Sequence, residues 1–285
     1  IDSTSTGKVP TISVCIDGKG PFTFLLATGA GSSVVSPSLA RSLGLHEGPV
    51  VPVRGVTCTT SAATVKVKTW SMSGAKLDAQ EVLVAKVNGA DASPPPSGMI
   101  GSDVLSRFAG VRIDYRRSRL VLAGTERAAP KGNVYVLGST AGTPPSALAK
   151  DGAIEKIVPL RIFETAQATI VAVPVSFGGH TEQLALDSGS PDSGLLPSVA
   201  AELELERTGA RAAISGAGCS GSASTYASGS WALGGSGLAR TSLEGRPIAG
   251  SLNRGLQGVL GSNVLASDGS VIVDYESAHL WLVTG

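Results

Sequence analysis

Asp187 is the residue of this chain best placed to do chemistry. Leu184-Ala185-Leu186-Asp187-Ser188-Gly189-Ser190 reads as an apolar strand that delivers one carboxylate into a tight Ser-Gly turn. Such a carboxylate can take a proton from water, or it can merely cap its own turn, as Asp commonly does in tripeptides of this kind. Context lifts it above the second reading, because the stretch has a twin. Leu25-Leu26-Ala27-Thr28-Gly29-Ala30-Gly31, 160 positions earlier, has the same apolar approach and the same hydroxyl-then-glycine exit, with Ala27 where a second carboxylate would stand.

The same offset recurs along the chain, and this decides how the protein is built. Pro37 falls on Pro197 and Leu43-Gly44-Leu45 on Leu203-Glu204-Leu205. Gly98-Met99-Ile100-Gly101-Ser102-Asp103-Val104-Leu105 falls on Gly258-Val259-Leu260-Gly261-Ser262-Asn263-Val264-Leu265, and Asp114-Tyr115 on Asp274-Tyr275. Several matched blocks at one spacing imply two copies of one unit and predict two lobes related by a pseudo-two-fold axis. The boundaries drawn are residues 1–127 for the first lobe, 128–152 for a linker and 153–285 for the second lobe. The stretch 128–152 is the linker candidate because it is rich in Gly, Pro, Ala, Ser and Thr.

Within each unit the patterning is that of β-strands. Ile12, Val14 and Ile16 alternate with small or polar neighbours, Gly18-Lys19-Gly20-Pro21 is a turn signal, and Phe22 to Leu26 returns. Ser36-Pro37 opening and Gly44 closing predict one short helix, and Leu196 to Leu205 its counterpart. Hydrophobic residues make up 42% and aromatics only 4%, so two cores of about 125 residues' worth of chain must be filled from Val, Leu, Ile and Ala. A net charge of +1 with 16% charged residues gives no basic field for nucleic acid. No apolar run reaches the roughly 18 residues of a membrane span, and Ile1 to Lys8 lack the regions of a signal peptide, so a domain cut from a longer precursor is expected.

The residues quoted resemble the aspartic proteases, both the two-lobed pepsin-like enzymes and the retroviral type. That family's motif is two hydrophobic residues, then Asp-Thr/Ser-Gly, followed downstream by two hydrophobic residues and Gly. Asp187-Ser188-Gly189 with Val259-Leu260-Gly261 matches it throughout; Leu25, Leu26, Thr28 and Gly29 with Met99-Ile100-Gly101 match it except at Ala27. Within the family the chain looks most like the C-terminal protease domains of mycobacterial PE family (PE/PE-PGRS) surface proteins, in keeping with its Gly, Ala and Ser bias. The resemblance implies an all-β, two-lobed pepsin-like fold with short helices and a cleft between lobes. It further implies endopeptide hydrolysis, with a peptide or protein substrate or the precursor itself as what is cut, a secreted or cell-surface parent, and a monomer. The Gly-rich segments carry no phosphate-loop lysine or dinucleotide fingerprint and the cysteines no metal-like clustering, so no cofactor or metal is expected.

The chemistry behind the motif is general acid and base catalysis by a pair. One carboxylate takes a proton from water while a protonated partner donates to the scissile carbonyl oxygen, and two carboxyls so close share one proton. Thr28 and Ser188 are expected to tie the two turns together by hydroxyl hydrogen bonds, Gly29 and Gly189 to permit close approach, and Gly101 and Gly261 to end motifs packed beneath. With Ala27 the pair lacks a member, so this chain is predicted to be inactive. An engineered Asp-to-Ala replacement is the reading adopted, since every neighbour of Ala27 keeps the protease pattern; a natural pseudoprotease or peptide-binding surface antigen is the alternative.

Two polar hairpin tips are the candidates for flaps over the cleft: Thr57, Cys58 and Thr59 in the first unit, and Gly218 and Cys219 in the second. Neither carries the Tyr that pepsin-like flaps use. Cys58 and Cys219 sit in corresponding regions, so a disulfide between them and two free thiols are both open, whereas Cys15 reads as a small buried hydrophobe. Asp114 and Asp274 read as strand-end turn carboxylates, and Asp192 as a solvated turn residue. His46, His180 and His279 are scattered and no nucleophile elbow accompanies them, which argues against a serine hydrolase.

Overall fold

The alternating apolar segments that open each unit pair as hairpins, and the hairpins set the path of the whole chain. In a computed structural model, which describes residues 2–3, 9–54, 59–72, 74–87, 94–165, 168–216, 219–248, 255–267 and 269–284, strand Pro10–Ile16 pairs with Lys19–Leu26, and Thr169–Phe177 with His180–Leu186, both antiparallel. The first turn is tighter than the Gly18 to Pro21 signal implies. Asp17 and Gly18 take φ of 47° and 73°, a two-residue turn whose twist matches that of the strands, and Lys19 to Pro21 already belong to the second strand. Leu26 and Leu186 end their strands fully buried, so residues 27 and 187 emerge at the edge of each core.

The architecture is the expected all-β, two-lobed one. Among the described residues, a 10-stranded sheet holds the first unit, an 11-stranded sheet the second, and a 5-stranded sheet joins them. In that joining sheet Gly110–Asp114 lies antiparallel to Ser270–Asp274 with Arg112 opposite Ile272. These two residues are themselves related by the 160 offset, so the pseudo-two-fold axis passes between them. Each unit also threads a short parallel ladder beside its turn: Gly98–Ile100 along Phe24, Leu25 and Leu26, and Gly258–Leu260 along Leu184, Ala185 and Leu186.

The helices form where their caps allow. Pro37–Leu43 starts at Ser36, whose hydroxyl accepts the Leu39 N–H, and stops at Gly44 with φ of 67°. Pro197–Glu202 repeats it without a side-chain cap. Within the stretch read as a linker, Val134–Leu137 adds an edge strand against Arg161–Glu164. Further on, the buried Arg112 guanidinium reaches the carbonyls of Leu148 at 3.1 Å, Asp151 at 3.2 Å and Lys150, and donates to Ser270 Oγ at 3.1 Å. One arginine from the joining sheet thereby fastens the chain segment that passes between units. Asp114 accepts the Arg117 N–H at 2.9 Å, and Asp274 those of Glu276 and Ser277 at 3.1 and 2.9 Å, as turn carboxylates do. Among the described residues no helix is long and apolar enough to cross a membrane.

Candidate active site

The two turns meet back to back. Thr28 Oγ1 donates to the Leu186 carbonyl at 2.9 Å and accepts the Ser188 N–H at 3.0 Å. Ser188 Oγ in turn donates to the Leu26 carbonyl at 2.7 Å and accepts the Thr28 N–H at 3.2 Å. Each hydroxyl spans the axis and satisfies one donor and one acceptor of the other unit's buried backbone, and both side chains are essentially inaccessible. Four reciprocal bonds between buried groups fix the turns far more firmly than either could fix itself.

That grip brings Gly29 against Asp187 and Gly189 against Ala27. A Cβ on Gly29 would lie 2.4 Å from Asp187 Cβ, and one on Gly189 would lie 2.5 Å from Ala27 Cβ. Glycine is required here by approach, not by backbone angle. The Gly189 and Gly29 N–H groups both donate to Asp187 Oδ1, at 2.9 and 3.2 Å. By the pseudo-symmetry, a carboxylate on residue 27 would be offered the same two amides in exchanged roles. Position 27 is ready for it in backbone terms: Ala27 N–H donates to Ile100 O at 3.0 Å just as Asp187 N–H donates to Leu260 O at 3.0 Å.

Beneath each turn the downstream glycine completes the frame. Gly101 N–H donates to Ser33 Oγ and Gly261 N–H to Ser193 Oγ, both at 2.9 Å. A Cβ on Gly101 would meet the Ala30 carbonyl at 2.7 Å, and one on Gly261 the Asp192 carbonyl at 2.6 Å. Ser33 and Ser193 then donate at 2.8 Å to Asp103 Oδ1 and Asn263 Oδ1 respectively. These serines and the Asp103/Asn263 pair were not singled out from the sequence, although they obey the 160 offset and were legible by it.

Burial raises the Asp187 carboxyl above the ordinary 3.8, against the amides of Gly189 and Gly29, the charge of Arg246 and the amide of Ser190, which pull it down. Asp103 is pushed up to about 6, again by burial, with its bonds from Ser33 and the charge of Arg107 opposing. Its other oxygen accepts Gln80 Nε2 at 2.5 Å. A carboxyl that holds its proton more tightly when folded contributes stability below its ordinary pKa, and this contribution is lost as pH rises through about 6. The protein is therefore expected to gain stability on going from pH 7 to pH 4, with ~2 kcal/mol of the gain belonging to Asp103. Urea denaturation of Asp103→Asn, whose amide copies Asn263, should show that share of the pH dependence gone; an unchanged dependence would contradict it.

Of the flap candidates, Thr57, Cys58 and Gly218 lie outside the described residues, so the proposed Cys58 to Cys219 disulfide lies outside them too. The hairpins that carry the tips are present: Glu47–Arg54 with Thr59–Val67, and Arg207–Gly216 with Cys219–Ala227. Thr59 and Cys219 each open the returning strand.

With the geometry in view, the comparisons with known proteins are these. Residues 12–104 match the aspartyl protease family model, a span that covers the first turn, Ala27 included, and the Met99-Ile100-Gly101 motif beneath it. No curated protein sequence matches the chain. Among solved structures the chain is similar to an aspartic proteinase from Irpex lacteus, with 13% identity, a TM-score of 0.49, and coverage of 98% of this chain and 94% of that one.

Proposed function

We propose that this chain is an aspartic endopeptidase domain in which the partner of Asp187 has been replaced by Ala27. The observation that carries the reading is the reciprocal Thr28 and Ser188 grip, which sets Gly29 and Gly189 against residues 187 and 27. Such a frame suits two carboxyls held side by side and sharing one proton. With Asp at position 27, the ionised member takes a proton from water, the water oxygen bonds to the scissile carbonyl carbon, and the protonated member gives its proton to the carbonyl oxygen. Proton return to the peptide nitrogen then breaks the C–N bond and frees both products without a covalent enzyme intermediate. Ala27 supplies no such partner, so this chain binds peptide without cutting it. The polypeptide carries both halves of the frame, and no second copy is needed to complete it. Its Gly, Ala and Ser bias supports the PE-like origin and a secreted or cell-surface parent.

The test uses Ala27→Asp. Peptide hydrolysis in 18O-labelled water with added hydroxylamine should place label in the new carboxyl terminus and yield no hydroxamate. Hydroxamate would indicate an acyl-enzyme and overturn the reading. Ala27 itself favours a second reading, a peptide-binding module without chemistry; peptide capture with no hydrolysis by Ala27→Asp would establish that one instead.

A further inference from the structure

The two units diverge in chemistry at one place beside the site. In each, a strand runs parallel to the short segment that follows the turn. Leu83 N–H donates to Ser33 O at 3.0 Å and Ala85 N–H to Val35 O at 3.1 Å; in the second unit Glu244 N–H donates to Ser193 O at 3.0 Å and Arg246 N–H to Leu195 O at 2.8 Å. These bonds make Glu244 and Arg246 the counterparts of Leu83 and Ala85, while Gly194 corresponds to Val34. Two apolar residues and a valine have thus become a carboxylate, a guanidinium and a glycine.

The three changes fit one another. A Cβ on Gly194 would lie 2.5 Å from the Glu244 carbonyl oxygen and 3.1 Å from both Cγ and Cδ of Arg246, so glycine lets the neighbouring strand and the arginine stem both close in. Ser193 points beneath the turn to Gly261 and Asn263, and Leu195 is in the core; Gly194, between them, faces the other way. Arg246 is close enough for its charge to act on the Asp187 carboxyl. Its Nε lies 2.5 Å from Glu244 Oε2, and the two side chains are only 6% and 8% exposed. Among the described residues the two terminal nitrogens of Arg246 have no hydrogen-bond partner. Glu244 holds the guanidinium from its Nε edge and leaves free the end-on edge, the pair of NH2 groups whose spacing suits a carboxylate. Neither terminal nitrogen is among the fully buried atoms left without a partner, so both reach solvent and are open to an acceptor from outside the chain.

We propose that Arg246 is a specificity-determining residue that receives an acidic side chain of the bound peptide on the second-lobe side of the cleft. This rests on the endopeptidase reading, and the first-lobe side, with Val34, Leu83 and Ala85, favours an apolar side chain in the corresponding place.

The experiment uses the chain as it stands, in which, on the endopeptidase reading, Ala27 spares the bound peptide from cleavage. Fluorescence anisotropy would compare peptides that differ only by Glu, Gln or Lys at each position in turn. At one position Glu should bind about tenfold more tightly than its isostere Gln, with Lys weakest. The double variant Glu244→Leu with Arg246→Ala installs the first unit's residues without leaving a buried charge unpaired, and should abolish the Glu preference while still binding the Gln peptide. Arg246→Lys, which keeps a cation beside Glu244, should retain only part of the preference. Equal binding of Glu and Gln, or a preference unchanged in both variants, would overturn the proposal alone. A preference for Lys would reassign the subsite to Asp192. Failure of every peptide to bind either this chain or Ala27→Asp would remove the endopeptidase reading and the proposal with it.

Discussion

Ala27→Asp is expected to raise the rate of peptide hydrolysis about 10³-fold or more over that of this chain, the scale of a positioned acid and base acting together. The backbone at residue 27 already has the hydrogen bond that its counterpart has at residue 187, and the Gly29 and Gly189 amides already donate to the carboxylate that is present, Asp187 Oδ1. The variant therefore keeps the backbone frame and adds a carboxyl. Bringing a second carboxyl beside Asp187, which burial already raises, should push one proton of the pair up and the other down, so the two steps belong to the pair. The rate should fall on both sides of an optimum on the acid side of neutral, since either a second proton or the loss of the shared one removes a partner. Initial rates across pH would check this; a rate that only rises toward alkali would point to a different nucleophile.

Gly29→Ala should do the reverse damage. Its Cβ would stand 2.4 Å from Asp187 Cβ and 2.5 Å from Cγ, inside any permitted contact, and the neighbouring atoms are the Asp187 carboxyl and a turn clamped by four hydrogen bonds. Neither can give way without breaking the grip. The expected cost is ~3 kcal/mol of folding stability and, in the Ala27→Asp background, about a 10²-fold loss of kcat/KM through misplacement of the carboxyl. Gly132→Ala makes a fair control, because nothing lies within 4 Å of its Cβ and its effect should stay within about 0.5 kcal/mol. Denaturant midpoints and steady-state kinetics on the two variants would separate them; equal stability would mean that the turns are not locked as described.

Much of this could be read from residues alone because duplication repeats its evidence. A lone Asp-Ser-Gly is a turn, but an apolar approach, a hydroxyl, a glycine and a downstream glycine motif, all recurring at one spacing, specify a frame with two-fold logic. Ser36 and Gly44 likewise announced a helix, since caps are local chemistry. The exact turn at Asp17-Gly18 was missed because Gly20-Pro21 is the louder turn signal, yet the strand pairing fixes the shorter connection. Glu244 and Arg246 escaped for a register reason: their hydrogen bonds match Leu83 and Ala85 one residue off the 160 offset, so aligning by the offset sets the wrong residues side by side. The raised Asp103 depends on its burial in the folded protein, which outweighs the bonds from Ser33 that oppose it, a tertiary fact that composition does not carry.

The central claim is that residues 27 and 187 form one dyad. A peptide-library digest read by mass spectrometry, run on this chain, on Ala27→Asp, and on Ala27→Asp with Asp187→Asn, tests it most directly. The account predicts cleavage by the single variant alone, with all three chains folded. Cleavage that survives Asp187→Asn, or is equal in this chain, would contradict it.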